Sequence, residues 1–408
     1  MADALHEIRV ELIVVGGGLA GLTLAIACAD AGIEVAVVDR EDPRTMLAAP
    51  FDGRTTAIAH GSQQVLAGIG LWPLVAAEAE PILEIRVADS GSPLFLHYDH
   101  HEVGENPLGY IVENRVLRRA LMARAAQLPT LRHLAPLAVD RVEREACGAT
   151  ACLADGRRLR GQLVAACDGR GSPLRRTAGI KTLEWTYPQT SIVCTVRHAL
   201  PHRGVAIEHF LPAGPFAILP MTESRSSIVW TERADLAPGL LALNAATFVA
   251  ELGRRFGDFL GALEVVGPRF SYALSLLHAE RYAVPRLVLV GDAAHVIHPI
   301  AGQGLNLGIR DVAALAELVV DARRLGLDIA DAGVLARYER WRRFDNLMLA
   351  AVTDGLNRLF SNSVPPVKLA RDVGLAMVGR MPPLKRFLMR HAMGVVGDLP
   401  RLVRGEPL

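Results

Sequence analysis

The stretch "LIVVGGGLAGLTLA", residues 12–25, decides the fold class of this chain. Residues 10–15 form a short apolar run rich in β-branched side chains, which predicts a buried parallel strand. The following residues predict a helix over 19–31 that ends at Gly32, and residues 33–38 predict a second strand. A strand, a glycine-rich turn, a helix and a second strand are typical of a Rossmann-like βαβ unit.

The glycines of this stretch indicate what the unit binds. Gly16, Gly18 and Gly21 match the pattern G-x-G-x-x-G. The first glycine allows a tight turn, the second lets the backbone approach a pyrophosphate, and the third allows close packing of helix on strand. The N-terminal amides of the helix then point at the phosphates. Asp39 follows Gly21 by 18 residues, where an acid accepts a hydrogen bond from a ribose 2′-hydroxyl. The pattern predicts dinucleotide binding, and an acid at position 39 disfavours NADP there.

Composition excludes several other classes of protein. The chain has 408 residues, a net charge of +1 and a mean hydropathy of +0.26, so nothing favours nucleic-acid binding. Five scattered cysteines never form C-x-x-C, which argues against a disulfide framework or a zinc site and favours a reducing compartment. The first residues are too charged for a signal peptide, and we expect no transmembrane helix.

Two later stretches repeat the pattern of a strand ended by a polar turn. In "LVAACDGRGSPLRR", a strand predicted over 163–167 ends at Asp168-Gly169. In "RLVLVGDAAHVIHPIAGQGLNLGIRDVAAL", a strand predicted over 287–290 ends at Gly291-Asp292. Asp292 can accept from a ribityl or ribose hydroxyl. The amides of residues 302–306 open a long helix, and such a terminus stabilises negative charge on the edge of a reduced flavin.

The three motifs, in this order and at these separations, resemble the flavoprotein aromatic hydroxylases of the p-hydroxybenzoate hydroxylase fold over essentially the whole chain. Other segments are similar to the ubiquinone-biosynthesis hydroxylases within that group. These segments are "FDGRTTAIAHGSQQVLAGIGLW" (51–72), "IVENRVLRRAL" (111–121), "DGLNRLFSNS" (354–363) and "RHAMGVVGDLPRLVRG" (390–405). The tail segments are the most specific to the subfamily.

The resemblance implies an α/β fold in which an antiparallel-sheet substrate domain is inserted into a Rossmann-like FAD-binding domain, followed by a helical C-terminal tail. The FAD-binding domain is expected at 1–75, 103–180 and 270–330, the substrate domain at 76–102 and 181–269, and the helical region at 331–408. Alternating side chains independently predict strands at 191–199, within 204–221 and at 226–233. Candidates for the pocket wall, or equally for ordinary sheet core, are Phe210, Pro215, Phe216 and Pro220.

The resemblance also implies the site residues. Those expected to bind FAD are Gly16, Gly18, Gly21, Asp39, Arg54, Asn114, Asp168, Gly291, Asp292, Gly302, Gln303, Gly304, Leu305 and Asn306. No catalytic base is evident, and the residues expected beside the flavin are His295, Pro299 and Gly302. His295 has an alternative role as a histidine that packs the loop near the cofactor. No metal is expected, and we interpret the histidines of "LHYDHHE" (96–102) as part of a solvated loop or strand edge.

The implied reaction has two halves. NAD(P)H reduces the flavin, and dioxygen then adds to give a C4a-hydroperoxyflavin that transfers its distal oxygen to a phenol ring. No second G-x-G-x-x-G is present, so NAD(P)H is expected on the surface of the FAD domain. The protein excludes water, positions the ring and stabilises charge. The ring carbon, the choice of NADH or NADPH and the oligomeric state stay open.

The C-terminal tail suggests contact with a membrane surface. Residues 358–408 carry nine Lys or Arg against three Asp or Glu, and a helix is predicted from Leu384 with an apolar face. A basic amphipathic helix can lie on an anionic bilayer. The alternative is that this face packs on the main body. The implied substrate, a polyprenylated phenol dissolved in the bilayer, favours membrane contact through 380–408. The expected location is cytoplasmic, peripheral to the inner membrane surface.

Two other functions compete with this one. A flavoenzyme of the same fold would act on another small aromatic or an isoprenoid; a halogenase is disfavoured because no W-x-W-x-I-P is present. A flavin-retaining scaffold in a lipid-biosynthesis complex would not be an enzyme, although its intact cofactor motifs would then have no use. Association with other ubiquinone-biosynthesis proteins is expected on the leading interpretation.

Overall fold

The computed structural model describes residues 7–48, 53–89, 95–361, 378 and 380–408. The strands are β1 (Glu7–Arg9), β2 (Leu12–Val15), β3 (Val35–Val38), β4 (Thr55–Ala59), β5 (Glu80–Ile82), β6 (Glu84–Asp89), β7 (Phe95–Asp99), β8 (Gly109–Glu113), β9 (Leu131–Leu134), β10 (Val139–Glu145), β11 (Gly148–Leu153), β12 (Arg158–Gly161), β13 (Leu163–Ala166), β14 (Thr182–His198), β15 (Val205–Leu211), β16 (Gly214–Met221), β17 (Arg225–Arg233), β18 (Leu263–Ala279), β19 (Ala283–Val284), β20 (Leu287–Leu289) and β21 (His295–Val296). The α-helices are α1 (Leu19–Asp30), α2 (Pro43–Leu47), α3 (His60–Gly68), α4 (Asn114–Ala125), α5 (Pro173–Thr177), α6 (Ala237–Leu241), α7 (Ala245–Phe256), α8 (Gly304–Arg324), α9 (Ala332–Phe360) and α10 (Pro382–Ala392).

A six-stranded sheet, in the order β19-β20-β13-β2-β3-β9, forms the core of the FAD-binding domain. Its five strands β20, β13, β2, β3 and β9 pair in parallel, and β2, β3, β13 and β20 are fully buried. Both faces are buried because helices such as α1 and a four-stranded sheet, in the order β1-β12-β11-β10, pack on them, which is why these strands are apolar without alternation. The strands predicted near residues 12, 35, 163 and 287 are confirmed, with their ends shortened by one or two residues.

An eight-stranded, mostly antiparallel sheet forms the second layer, in the order β21-β18-β14-β17-β16-β15-β6-β7. The strands predicted at 191–199, 204–221 and 226–233 are confirmed, and the middle segment is a hairpin of β15 and β16. Two predicted boundaries shift. The predicted FAD-binding domain resumes at residue 270, but that residue lies inside β18, which pairs with β14 as far as Ala279. The predicted substrate domain begins at residue 76, but β5 pairs with β8, so the eight-stranded sheet begins at β6.

The described part of the C-terminal region is mostly helical, in agreement with the helical tail that the resemblance implies. The 29-residue helix α9 packs on α8, and the predicted tail helix begins at Pro382. The last residues return to the main body, where Leu402 and Val403 are buried in the core of the FAD-binding domain. Residues 51–52 and 362–363 of the segments quoted above, and 362–377 with 379 of the predicted helical region, lie outside the described residues.

Candidate active site

A cavity of about 1610 Å³ extends between the two large sheets and the C-terminal helices. The glycine loop after β2 and the carboxyl end of β3 line one part of it. Residues 299, 300 and 302–307, around the start of α8, line it as well. Apolar side chains of the eight-stranded sheet, α9 and α10 also line it, so a polar region and an apolar chamber share one space.

The glycine loop has the shape that a bound pyrophosphate requires. A Cβ at Gly16, where φ is +104°, would lie 2.3 Å from the carbonyl oxygen of Cys167. A Cβ at Gly21 would lie 1.9 Å from the carbonyl oxygen of Gly16, so these two glycines allow the loop, β13 and α1 to pack closely. Gly18 differs, because a Cβ there would meet nothing within 4 Å and would project into free space beside the cavity. That space fits the phosphates of a dinucleotide.

Asp39 stands directly after β3, at the sheet edge where β2 also ends. Its Oδ2 accepts the backbone N–H of Gly17 at 2.9 Å, and its Oδ1 accepts that of Glu41 at 3.1 Å. The carboxylate lines the cavity and retains free lone pairs. The geometry fits the predicted contact with a ribose hydroxyl, which stays a prediction.

Asp168, in the turn after β13, also faces the cavity. Its Oδ2 accepts the backbone N–H of Leu174 at 3.2 Å, but its buried Oδ1 has no hydrogen-bond partner among the described residues. Burial raises the pKa of this carboxyl. A buried polar atom left unpaired is unfavourable, so an orphaned carboxylate oxygen beside the glycine loop fits a hydroxyl donor supplied by a cofactor.

Gly291 and Asp292 form the corresponding turn after β20. Gly291 has φ of +60° and packs against Ala20 and Gly308, which brings α1 and α8 close to the turn. Asp292 projects into the cavity, and enclosure by protein raises its pKa. Its carboxylate is available to a polyol such as the ribityl chain of FAD.

Pro299 and residues 302–306 line the cavity where α8 begins at Gly304. The backbone amides of residues 304–306 are the first of α8, where a helix leaves its amides without a partner inside the helix. The side chain of Asn306 is bound within the protein. Its Oδ1 accepts the N–H of Ala59 at 2.9 Å, and its Nδ2 donates to the carbonyls of Ala57 and Gly302 at 2.8 and 3.0 Å. The amide therefore joins α8 to β4, and any contact of Asn306 with FAD is left to its backbone.

The remaining predicted contacts also line the cavity. Asn114 begins α4 and its Oδ1 accepts from the Thr56 hydroxyl at 2.6 Å. The guanidinium of Arg54 lies 5.1 Å from the ring centre of Tyr272. The Gln303 side chain donates to the carbonyl of Ala392 at 3.3 Å, which links the start of α8 to α10.

His295 does not line the cavity, which corrects its selection as a residue beside the flavin. β21 pairs His295 with His278 of β18, and the imidazole is buried with its Nε2 2.5 Å from Oδ2 of Asp311. The alternative role, a histidine that packs the loop, is the one the structure supports. Pro299 and Gly302 do line the cavity.

A buried network of charged and polar side chains supports this loop, and it was not predicted from the sequence. Asp311 on α8 also accepts from Arg342 Nε at 2.9 Å, from Asn346 Nδ2 at 3.0 Å and from the N–H of Gly291 at 3.2 Å. The network therefore holds the turn that carries Asp292. An acid on the apolar, buried face of α8 was the available signal.

Two arginines near the cofactor region were also missed. Arg118 lines the cavity one helical turn after Asn114, and the i, i+4 spacing could have identified it. Arg175 donates to the carbonyl of Ala293 and to that of Arg170, both at 2.8 Å, and so joins the turns after β13 and β20.

Two of the four predicted wall residues line the apolar chamber, and two do not. Phe210 and Pro215 line the cavity, and Phe210 stacks on Phe360 of α9 with ring centres 4.2 Å apart. Phe216 and Pro220 do not line it; Phe216 packs against Trp230 in a separate core. Alternation along the strand puts neighbouring side chains on opposite faces of the sheet.

The segment 96–102 contains one cluster of potential metal ligands. Ligand atoms of Asp99, His100 and His101 lie within 4.8 Å of one another. Asp99 Oδ1 already accepts the N–H of His101 at 3.0 Å, and His100 Nδ1 donates to the carbonyl of Leu83 at 3.1 Å. The expectation that no metal is needed stays a prediction.

Comparisons with known proteins agree with this architecture. Residues 9–344 match the FAD binding domain family. The chain is 56% identical over 401 residues to ubiquinone hydroxylase UbiL of Rhodospirillum rubrum, covering 98% of this chain and 93% of the relative. It is 34% identical to 3-demethoxyubiquinol 3-hydroxylase of Escherichia coli, covering 94% and 98%. The crystal structure of p-nitrophenol 4-monooxygenase PnpA from Pseudomonas putida superimposes with a TM-score of 0.80 at 20% identity, covering 96% and 99%, and shows the shared fold.

The fold and the site define an FAD-dependent monooxygenase with the p-hydroxybenzoate hydroxylase architecture. Within that class, the chain belongs to the family of FAD-dependent hydroxylases of ubiquinone biosynthesis. Its cofactor is FAD, which the open space at Gly18 and the unpaired carboxylate oxygen of Asp168 fit.

Proposed function

We propose that this protein hydroxylates the aromatic ring of a polyprenylated phenol in ubiquinone biosynthesis, using dioxygen and NAD(P)H. The observation that carries the proposal is the single cavity that joins the glycine loop and Asp292 to an apolar chamber. A mostly apolar pocket with few polar groups suits a ring that carries a lipid chain. The two relatives named as ubiquinone hydroxylases support a substrate on this pathway.

Bound FAD supplies the electron transfer and oxygen activation that the hydroxylation needs. The glycine loop and Asp39 hold its ADP half, and Asp168 and Asp292 offer acceptors to its hydroxyls. The amides at the start of α8 favour negative charge beside them. The apolar walls exclude water from the ring to be hydroxylated. We assign NAD(P)H to the surface of the FAD-binding domain, since one glycine fingerprint serves one dinucleotide.

The first experiment is an absorbance spectrum of the purified protein, followed by identification of the released chromophore. We expect a flavin spectrum and FAD. NAD(P)H oxidation is then measured with a prenylated phenol and with the same phenol lacking its chain, and the product is examined for one added oxygen atom. Stimulation by the prenylated phenol, with hydroxylated product, supports the proposal. Hydroxylation of the unprenylated aromatic alone would contradict the substrate class, and a protein that binds no FAD would contradict the chemistry.

We further propose that α10 and α9 bind the surface of a membrane. On α10, Met389 is buried against the main body. Three apolar residues of the same helix are exposed, namely Leu384, Phe387 and Leu388, and 52% of the surface of Phe387 is accessible. The flanking Arg386 and Arg390 are exposed too, which gives this surface the positive charge that anionic lipids attract. Leu402 and Val403 are buried, so within the predicted contact region 380–408 we limit the membrane contact to α10.

Exposed apolar side chains of α9 extend this surface. Phe344, Leu347, Met348, Val352 and Leu359 recur at helical spacing and are each at least 40% exposed. Three of them, with Phe387 and Leu388 of α10, also line the cavity. An apolar surface that continues into an apolar chamber favours a bilayer as its occupant, because the proposed substrate is dissolved there. In the described part of the chain, no helix has the length and apolar character to cross a membrane.

The membrane contact is tested by flotation with vesicles that contain anionic lipid. The double variant Leu384→Asp/Phe387→Asp should float much less than the unchanged protein. Leu325→Asp is the matched control, because Leu325 is 74% exposed at the end of α8 and does not line the cavity. Equal flotation of all three proteins, or flotation of none, would contradict the assignment.

A further inference from the structure

Glu208 is an isolated acid in the apolar chamber. It lies in the middle of β15 and lines the cavity. Its cross-strand neighbours are Ala217 on β16 and Val87 on β6, and both line the cavity beside it. Along β15, Ala206 and Phe210 line the cavity on the same side of the strand. Among the described residues, Glu208 is the one charged side chain that the eight-stranded sheet contributes to the cavity.

The carboxyl of Glu208 has no hydrogen bond or ion pair with the described part of the chain. Glu84 of β6 differs, because it accepts from Arg86 at 2.9 Å and lies 3.0 Å from His97. Burial, with no charged neighbour contributing, raises the pKa of Glu208 to about 7. An unpaired carboxyl among apolar groups is unfavourable for stability, which points to a ligand that completes its hydrogen bonding.

We propose that Glu208 is a catalytic residue that accepts the hydrogen bond of the substrate's phenol hydroxyl and takes up its proton. The proposal rests on the proposed function. A neutral ring hydroxyl is the donor that an isolated carboxylate needs, whereas a second carboxylate on the substrate would be repelled in this apolar chamber. The chamber therefore favours phenols without a carboxylate over hydroxybenzoates.

Glu208 takes up a proton and returns it within one catalytic cycle. The phenol O–H bond breaks and an O–H bond forms on the carboxylate, while the electron pair stays on the phenol oxygen and enriches the ring. After oxygen transfer, the hydroxylated ring loses its own hydrogen to water as a proton. Glu208 then returns its proton to the oxygen of the product and is again a carboxylate. A group that titrates near neutral pH is suited to both steps.

The test compares two ligands on three forms of the FAD-loaded protein. Dissociation constants are measured without NAD(P)H, from the change in flavin absorbance, for a prenylated phenol and for its O-methyl ether. Unchanged protein should bind the phenol about tenfold or more tightly than the ether, as expected for a hydrogen bond to a charged group. In Glu208→Gln this preference should largely disappear, and less hydroxylated product should form per NAD(P)H oxidised.

Controls separate the role of the acid from damage to the fold. Glu223→Gln makes the same change at a glutamate 78% exposed in the turn between β16 and β17, and it should retain the preference. Glu208→Asp should retain part of it, and FAD content should be equal in all forms. If Glu208→Gln keeps the full preference for the phenol, the assignment of Glu208 is overturned and the proposed function survives. If the unchanged protein binds and hydroxylates no prenylated phenol, both are overturned.

Discussion

Asp311 is the centre of the buried network behind the cofactor-binding turn, and replacing it with asparagine tests what that network does. The carboxylate accepts from Arg342, Asn346, His295 and the N–H of Gly291, and both Asp311 and Arg342 are inaccessible to solvent. Asp311→Asn keeps the size of the side chain and removes its charge. The positive charge of Arg342 then stays buried without a negative partner on α8, and the hydrogen bond from the N–H of Gly291 to residue 311 weakens.

The expected loss of stability follows from the burial of the pair. Removing one partner of a buried ion pair destabilises a protein by about 3–5 kcal/mol. The entropy of unfolding is about 2.1 cal/mol/K per residue, or about 0.9 kcal/mol/K for a chain of 408 residues. The two values together predict that Tm falls by about 3–6 °C. FAD retention should fall as well, because Gly291 precedes Asp292.

The assay is thermal unfolding followed by circular dichroism, with FAD content measured on the same samples. Asp321→Asn is the matched control on the same helix: its carboxylate pairs with Arg401 at 2.6 Å but is 41% exposed. An exposed pair contributes less than about 1 kcal/mol, so the control should shift Tm by about 1 °C or less. If Asp311→Asn unfolds within about 1 °C of the control and keeps its FAD, the network does not hold the site.

Three further predictions concern the same region. Gly16→Ala should give little folded protein, because its Cβ would lie 2.3 Å from the carbonyl oxygen of Cys167, whereas Gly18→Val should fold normally and lose most of its FAD. Circular dichroism measures the folding of both variants, and the flavin-to-protein ratio measures their FAD content. Normal FAD content in Gly18→Val would contradict the phosphate assignment. Asp292→Ala should weaken FAD retention or flavin reduction while leaving the chain folded, and full activity with normal FAD content would contradict its role. Burial raises the pKa of Asp311, but the charge and hydrogen bond of His295 and the charge of Arg342 outweigh it and hold the pKa at about 2, below its ordinary 3.8. The stabilisation that the ionised Asp311 carboxylate contributes is therefore complete above about pH 4 and is lost as the pH falls towards 2. Over that range, the free energy of unfolding of the unchanged protein should fall by about 2 kcal/mol more than that of Asp311→Asn. Parallel acid unfolding curves for the two proteins would contradict this.

The cofactor-binding half of the site could be predicted because its signals are local. The glycines, the helix start and the acid after the second strand lie within residues 12–39, and parallel strands bring their carboxyl ends to one edge of the sheet. Asp168 and Asp292 follow the strands β13 and β20 of the same sheet, and the same rule brings them to the cavity. Their position needed no knowledge of distant side chains.

The side chains that face the chamber could not be assigned in the same way. Alternation predicts that Pro215 and Phe216 lie on opposite faces of the sheet, but it does not say which face borders the cavity. The direction of His295 depends on its pairing with β18, and Asp311 meets Arg342 across 31 residues of chain. Glu208 was missed because an acid in an alternating strand is usually exposed.

The sequence by itself determined the family, the cofactor and the order of the main elements, because each depends on short local motifs and on their order along the chain. The tertiary structure alone decided where the sheets divide, which acids are buried and which helix faces stay exposed beside the cavity. Those properties depend on how β14, β18, α8, α9 and α10 pack, and packing brings together residues that no local pattern connects.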